Sequence, residues 1–286
     1  MIDNSIDLGL RLELAIAMDL ARAAGAALQR HRAGPLKVGY KARGEIVTAA
    51  DLESDRIIRE GLALAFPADA VYSEETADSE RRLSMRRVWI VDPLDSTSNY
   101  AAGGDEYCVS IGLAIDGQPV LGAVYSPAQA EMIAGAHGLG VTLNERSVRV
   151  SLAQNLPTAR LTVSRKEWQR GLCDVCAGLN ITPRASLAAK LARVAAGLDD
   201  GVFTATPRKE WGTCAGVALV LAAGGRATLL DGSPIRFNRP ELKQPMGMLA
   251  AGPALHGALR RRLHRALPGV AANTPLANPT QRTLFT

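Results

Sequence analysis

Two acids stand three residues apart, directly after an apolar run, in Val91-Asp92-Pro93-Leu94-Asp95-Ser96-Thr97. Pro93 denies helix to Asp92 and bends the chain, so Asp92, the Leu94 carbonyl and Asp95 can face one point with hard oxygens. Glu74 closes another short apolar run, and Asp51 offers a further carboxylate. Hard oxygen ligands without soft partners select Mg²⁺ or Mn²⁺ over zinc. Ser96, Thr97 and Ser98 then open a turn whose backbone N–H groups and hydroxyls suit phosphate oxygens. Metal, carboxylate and hydroxyl together are what water attack on phosphorus requires. In that chemistry Thr97 takes the hydrogen bond of the water and passes it toward Asp51 or Glu74. Turn formation and helix capping are the plainer roles for single acids. Two acidic strand ends beside a hydroxyl-rich turn favour function.

The elements that must position these groups are legible in outline. Apolar spacing from Asp7 to His31 predicts a long buried helix, stopped by Gly34-Pro35. A polar, glycine-bearing stretch from Lys37 to Glu45 leads into a strand at Ile46-Val47-Thr48. Asp51 can cap a second helix carrying Ile57, Ile58, Leu62 and Leu64. Ala70-Val71-Tyr72 and Val88-Trp89-Ile90-Val91 read as strands, the second buried. Strands over 107–115, 120–125 and 131–136 follow at hairpin spacing, with Asp116-Gly117 as a tight turn and a glycine turn over 135–140. Leu161–Ser164, Val202-Phe203 and Ala227–Leu230 read as strands; Leu187–Ala196 and Cys214–Ala223 read as helices. Ile235-Arg236-Phe237 brackets the turn Asp231-Gly232 from the far side. Helices, then antiparallel strands, then alternation argue for an α+β layered fold. Past about residue 268 no period remains, and 269–286 reads as a loose tail.

Composition narrows the class. Over 286 residues, 47% apolar and 21% charged exclude a disordered, collagen-like or coiled-coil chain. Charged residues interrupt every long apolar stretch, so no membrane span is expected. The first residues lack the basic and apolar regions of a signal peptide, so the cytoplasm is the expected compartment. Lys+Arg 33 against Asp+Glu 28 leaves +5, with Arg260, Arg261, Arg262 and Arg265 crowding the last helix. No aromatics interleave that cluster, so it reads as a solvated helix end and nucleic acid is disfavoured as a partner. Cys173-Asp-Val-Cys176 lacks a second pair or nearby His partners, so both thiols are placed on a helix rather than on zinc.

The chain resembles the magnesium-dependent, lithium-sensitive phosphomonoesterase superfamily of inositol monophosphatases, bisphosphate nucleotidases and fructose-1,6-bisphosphatases. The blocks 47–51, Ser73-Glu74-Glu75 and 89–97 are similar to its three N-terminal motifs in order and spacing. Residues 194–197, 211–216 and Ala223-Gly224-Gly225 resemble its C-terminal signature. The resemblance implies an αβαβα sandwich, residues 1–268 forming one unit of two intimate halves (about 1–150 and 151–268), and a homodimer. It implies two or three Mg²⁺ per site: Glu74, Asp92 and the Leu94 carbonyl on the first, Asp92 and Asp95 on the second. Thr97 and Glu74 would orient the water, with Asp51 behind Thr97. The Ser96 and Thr97 N–H groups would hold phosphate, and Ser186 and the backbone at Gly212 would lie against substrate.

Two departures from the family pattern matter. Ser96 replaces a glycine, costing roughly 1 kcal/mol if φ is positive there. Gly212 replaces the aspartate of a Trp-Asp pair, a ligand of the second metal, so that site is expected to bind Mg²⁺ weakly. Glu210 is next to Trp211 and is read as a surface residue rather than a substitute ligand. Substrate leans toward 3′-phosphoadenosine 5′-phosphate, because 207–211 and 71–75 look like the bisphosphate nucleotidase branch. Residues 97–100 and 109–112 look more like inositol monophosphatases, the alternative; Ala205 stands where those enzymes hold ring hydroxyls with an acid. A further alternative is a catalytically impaired relative that acts as a binding factor.

Overall fold

The computed structural model describes residues 9–36, 38–40 and 45–267. The expected first helix is α1 (Arg11–Arg32), whose stripe of Ala17, Ala21, Ala24 and Leu28 is buried. Inside the stretch read as polar loop lies a strand, β1 (Val38–Tyr40), antiparallel to β2 (Ile46–Thr48). The next helix, α2 (Ala49–Ala65), corrects the expected cap. Thr48, not Asp51, is its N-cap, and Asp51 bonds back to the Thr48 N–H in a capping box.

A seven-stranded sheet follows in sequence order: β3 (Ala70–Ser73), β4 (Arg87–Asp95), β5 (Cys108–Ile115), β6 (Gln118–Ser126), β7 (Glu131–Ala136), β8 (Gly140–Leu143) and β9 (Arg146–Val148). Only β3 and β4 run parallel within it. The short helix α3 (Thr97–Ala101) leaves the end of β4. Strands β8 and β9 escaped the sequence reading because their polar residues show no clean alternation; Asn144 and Glu145 turn between them at positive φ.

Strands β10 (Leu161–Ser164), β11 (Ile181–Arg184), β12 (Gly201–Phe203), β13 (Arg226–Leu229) and β14 (Met248–Ala251) build a second sheet, ordered β11-β10-β12-β14-β13. Between them come the single turns α4 (Arg165–Glu167) and α5 (Cys173–Val175), then α6 (Leu187–Ala195) and α7 (Cys214–Ala222). The last helix is α8 (Pro253–Ala266). Residues 235–237 form no strand. The Phe237 N–H donates to the Gly117 carbonyl at 3.0 Å instead, stitching this segment to the other sheet's turn. Cys173 heads α5, Cys176 follows its end, and all four thiols are free.

The layers are α1/α2, first sheet, α6/α7, second sheet and α8, an αβαβα sandwich. Strand periodicity explains this stacking. On β5, Val109, Ile111 and Leu113 face the α1/α2 core, while Cys108 and Ala114 face the core around α6 and α7. Gly112 and Gly122 are register partners beneath α7. A Cβ at Gly122 would stand 2.2 Å from the Ala215 carbonyl oxygen, so only glycine admits the helix. No helix among the described residues is long and apolar enough to cross a membrane. The tail expected over 269–286 lies outside the described residues.

Candidate active site

One face of α2 organises the acids. Asp51, Ser54, Asp55, Ile58 and Leu62 share its buried side at helical spacing. Ser54 Oγ donates to the Pro93 carbonyl at 2.8 Å, fixing the end of β4. The Ser73 hydroxyl donates to Asp55 at 2.5 Å, fixing the end of β3 beside Glu74. The Glu74 N–H in turn donates to the Val91 carbonyl. Ser54 and Asp55 were not singled out in the sequence. Their i+3 and i+4 spacing from Asp51 was the available signal.

Asp51 itself is spoken for. One oxygen accepts from the Thr48 N–H (2.8 Å) and hydroxyl (2.6 Å), the other from the Thr97 hydroxyl (2.9 Å). Thr97 Oγ1 also lies 3.1 Å from the Leu94 carbonyl. A hydroxyl has one proton to give and lone pairs to spare, so Thr97 can donate to Asp51 while accepting from a water. Ser96, just before it, has φ 80 and ψ 46, the left-handed conformation in which a serine carries the strain cost raised above.

Asp92 is the outlier. It is 3% exposed, and its Oδ1 has no hydrogen-bond partner. Burial raises its carboxyl well above the usual range, and the charges of Glu74, Asp95, Asp51 and Glu75 push it further. Across from it, a Cβ on Gly212 would lie 3.7 Å from Asp92 Oδ2, and beyond its chain neighbours it would meet no other heavy atom of the described residues within 4 Å. The glycine therefore opens space beside the most strained carboxylate of the cluster.

Asp95 faces elsewhere. Its Oδ2 accepts from the Ser186 hydroxyl at 2.7 Å and the Ala188 N–H at 2.8 Å, at the start of α6. Ser186 is also the N-cap of that helix, accepting from the Ala189 N–H. Because Asp51 is turned to Thr48 and Thr97, and Asp95 to α6, the acids surround Asp92 without closing on one point. Among the described residues no three His, Cys, Asp or Glu side chains form a group that could hold a metal by themselves. The orphaned, like-charge-crowded Asp92 still fits a hard divalent cation, with the Leu94 carbonyl as neighbouring oxygen. A second, fully liganded ion does not fit as well, since Gly212 brings no oxygen side chain.

Glu210 corrects the sequence reading. It is fully buried, and its carboxylate accepts from the Asn238 N–H (2.7 Å) and the Arg239 N–H (3.1 Å). It anchors a loop and is no substitute ligand. Burial pushes its pKa up to about 7 against the pull of those N–H groups and of Arg82 and Arg239. Trp211 packs edge-on to Tyr72 and under the Lys209 ammonium, which also pairs with Glu45. Arg208 pairs with Glu167. Ala205 is buried and brings no acid to the site.

Set beside known proteins, residues 10–268 match the inositol monophosphatase family. The chain is 34% identical over 221 residues to the "Nus factor SuhB" of Xylella fastidiosa, covering 73% of this chain and 79% of that protein. It is 34% identical over 230 residues to the inositol-1-monophosphatase of Mesorhizobium japonicum, covering 77% and 86%. Among solved structures, an inositol monophosphatase from Anabaena superposes with TM-score 0.75 at 31% identity, over 90% of this chain and 97% of that one. The suhB protein of Bartonella henselae gives 0.76 at 28%, over 90% and 98%.

Proposed function

The chain belongs to the inositol monophosphatase family, a family of phosphoric monoester hydrolases, and from that premise we propose that it hydrolyses a small phosphate monoester with Mg²⁺ beside Asp92. The observation that carries this is the buried, unpartnered Asp92 Oδ1 among like charges, next to the Thr97–Asp51 pair. Glu74, Asp92 and the Leu94 carbonyl would hold the first ion; Asp95 would turn from α6 to share a second. When bound, Mg²⁺ supplies Lewis acidity and neutralises phosphoryl charge. Thr97 accepts the hydrogen bond of the attacking water and, through its own proton, leans on Asp51. Glu74 orients the same water. The N–H groups at Ser96 and Thr97 and the backbone at Gly212 lie against the phosphate, with Ser186 behind. With Gly212 in place of an acid, this chain would offer a second ion one carboxylate fewer, leaving Asp92 and Asp95 to hold it. A homodimer belongs to the same proposal, and light scattering on the eluted peak measures it.

For substrate we place an inositol monophosphate first. The relatives described above carry inositol monophosphatase or SuhB names. Glu210, part of the block that leaned toward the nucleotidase branch, points into a loop and not at the site. The experiment is phosphate release from inositol 1-phosphate, 3′-phosphoadenosine 5′-phosphate and fructose 1,6-bisphosphate with Mg²⁺. Steady release from the first, inhibited by Li⁺, supports the reading. Preference for the second restores the nucleotidase, and no release from any overturns both.

A second reading is favoured by Gly212 together with the relative named as a Nus factor: a catalytically impaired relative acting as a binding factor. It predicts no turnover and salt-sensitive RNA binding lost on substitution of Arg260–Arg262. Two of those side chains already serve the fold, Arg260 bonding the Asp231 carbonyl and Arg262 that of Ala177. We place this reading second.

A further inference from the structure

Asp92 and Ser110 stand opposite each other on β4 and β5, in the last regular pair before the register shifts between Asp92 and Asp95. Directly opposed residues of an antiparallel pair point to one face, their Cβ atoms about 5 Å apart. Here that face is the α6/α7 side, shared with Ile90 and Cys108. Ser110 is fully buried, and its hydroxyl has no hydrogen-bond partner. Nor has Asp92 Oδ1, so two orphaned polar atoms belong to the two residues of one pair. On its other side Ser110 faces the apolar Val124 of β6, and Gly112, two residues on, lies beneath Cys214 and Ala215 of α7. Three other acids of the cluster each accept from a hydroxyl. Thr48 and Thr97 serve Asp51, Ser73 serves Asp55, and Ser186 serves Asp95. Asp92 lacks such a donor, and the hydroxyl across the ladder lacks an acceptor.

We propose that Ser110 is the positioning residue of Asp92, its hydroxyl turning to donate to Oδ1 when the carboxylate holds a divalent cation. The proposal rests on the cation-binding reading of Asp92 given above. A hydroxyl has one proton, which rotation about χ1 re-aims, and an ionised carboxylate only accepts. Oδ1 is sealed from solvent, so its donor has to come from the protein. Oδ2 borders the open space at Gly212 and is the oxygen left for the cation. A donor on the second oxygen of a ligating carboxylate fixes its orientation and steadies its charge. Ser110 does this without touching substrate or cation.

Calorimetric titration of the full-length protein with Mn²⁺, without substrate, tests the role in the parent, Ser110→Ala and Asp92→Asn. Binding by the parent is expected to be lost in Asp92→Asn and to weaken about tenfold in Ser110→Ala. Thermal melts of the metal-free proteins separate positioning from a structural role. Ser110→Ala removes a buried hydroxyl that has no partner without the cation, so it should melt at or above the parent. A melt lowered by several degrees makes Ser110 structural and overturns the positioning role. Mn²⁺ affinity unchanged in Ser110→Ala but lost in Asp92→Asn overturns that role alone and leaves the metal reading standing. No binding by the parent, or equal binding in all three proteins, overturns the metal reading of Asp92 and this role with it.

Discussion

Gly212 stands so that a side chain on it would begin 3.7 Å from Asp92 Oδ2. The same carboxylate carries the orphaned Oδ1 of the cluster. Position 212 is therefore where one more oxygen would change what Asp92 can hold, and the space there is open.

Replacing Asp92 separates its cost from its use. Asp92→Asn removes a carboxyl whose ionisation burial and four neighbouring acids oppose in the fold but not in the unfolded chain, so the metal-free protein gains stability, by about 1 kcal/mol or more. The parent's melting temperature rises with Mg²⁺ by mass action, and that of the variant does not. Thermal melts with and without Mg²⁺ check both; equal Mg²⁺ shifts would put the cation elsewhere.

Thr97→Val removes the hydroxyl that donates to Asp51 Oδ1, leaving Asp51 its Thr48 partner, and takes the acceptor from the water. Turnover falls about 100-fold or more, whereas Thr97→Ser stays within about tenfold of the parent. Asp51→Asn loses activity too, but it also weakens the capping box of α2. Its melt should drop where that of Thr97→Val holds.

Glu210 predicts a pH dependence of stability. Its folded pKa of about 7 lies above the ordinary 4.5, so the folded state holds a proton that the unfolded state has released. Stability from this group is therefore full below about pH 4.5 and declines as pH rises to about 7, by about 3 kcal/mol in total. Glu210→Gln should flatten that decline. Urea unfolding at intervals from pH 4.5 to 8 measures it, and parallel parent and variant curves would contradict the assignment.

Gly122→Ala tests the layer contact. A methyl 2.2 Å from the Ala215 backbone oxygen forces α7 off the sheet, at about 2 kcal/mol. The Gly212→Ala change meets no such backbone and should melt near the parent.

Much of the site was legible because β4 runs from a buried apolar stretch directly into Asp92-Pro93-Leu94-Asp95, and chain chemistry changes abruptly at that point. The positive φ of Ser96 meets the condition that the family's glycine at this position had raised. Glu210 was not legible. Charged residues belong to the surface by default, and its partners, the N–H groups at Asn238 and Arg239, come from a loop distant in sequence. Strands β11 and β14 were missed for other reasons: Pro183 interrupts the first, and the second, Met248–Ala251, is buried throughout and shows no alternation. Residues 235–237 had a strand's composition and lost their ladder to Gly117.

The central claim is that this chain is a Mg²⁺-dependent phosphomonoesterase whose second ion is weakly held because position 212 lacks an oxygen. Phosphate release from the best substrate, titrated with Mg²⁺ for the parent and for Gly212→Asp, tests it directly. The account predicts that the half-saturating Mg²⁺ falls about tenfold or more in the variant, as expected for a gained charged ligand worth about 1.4 kcal/mol. Coincident curves would contradict it.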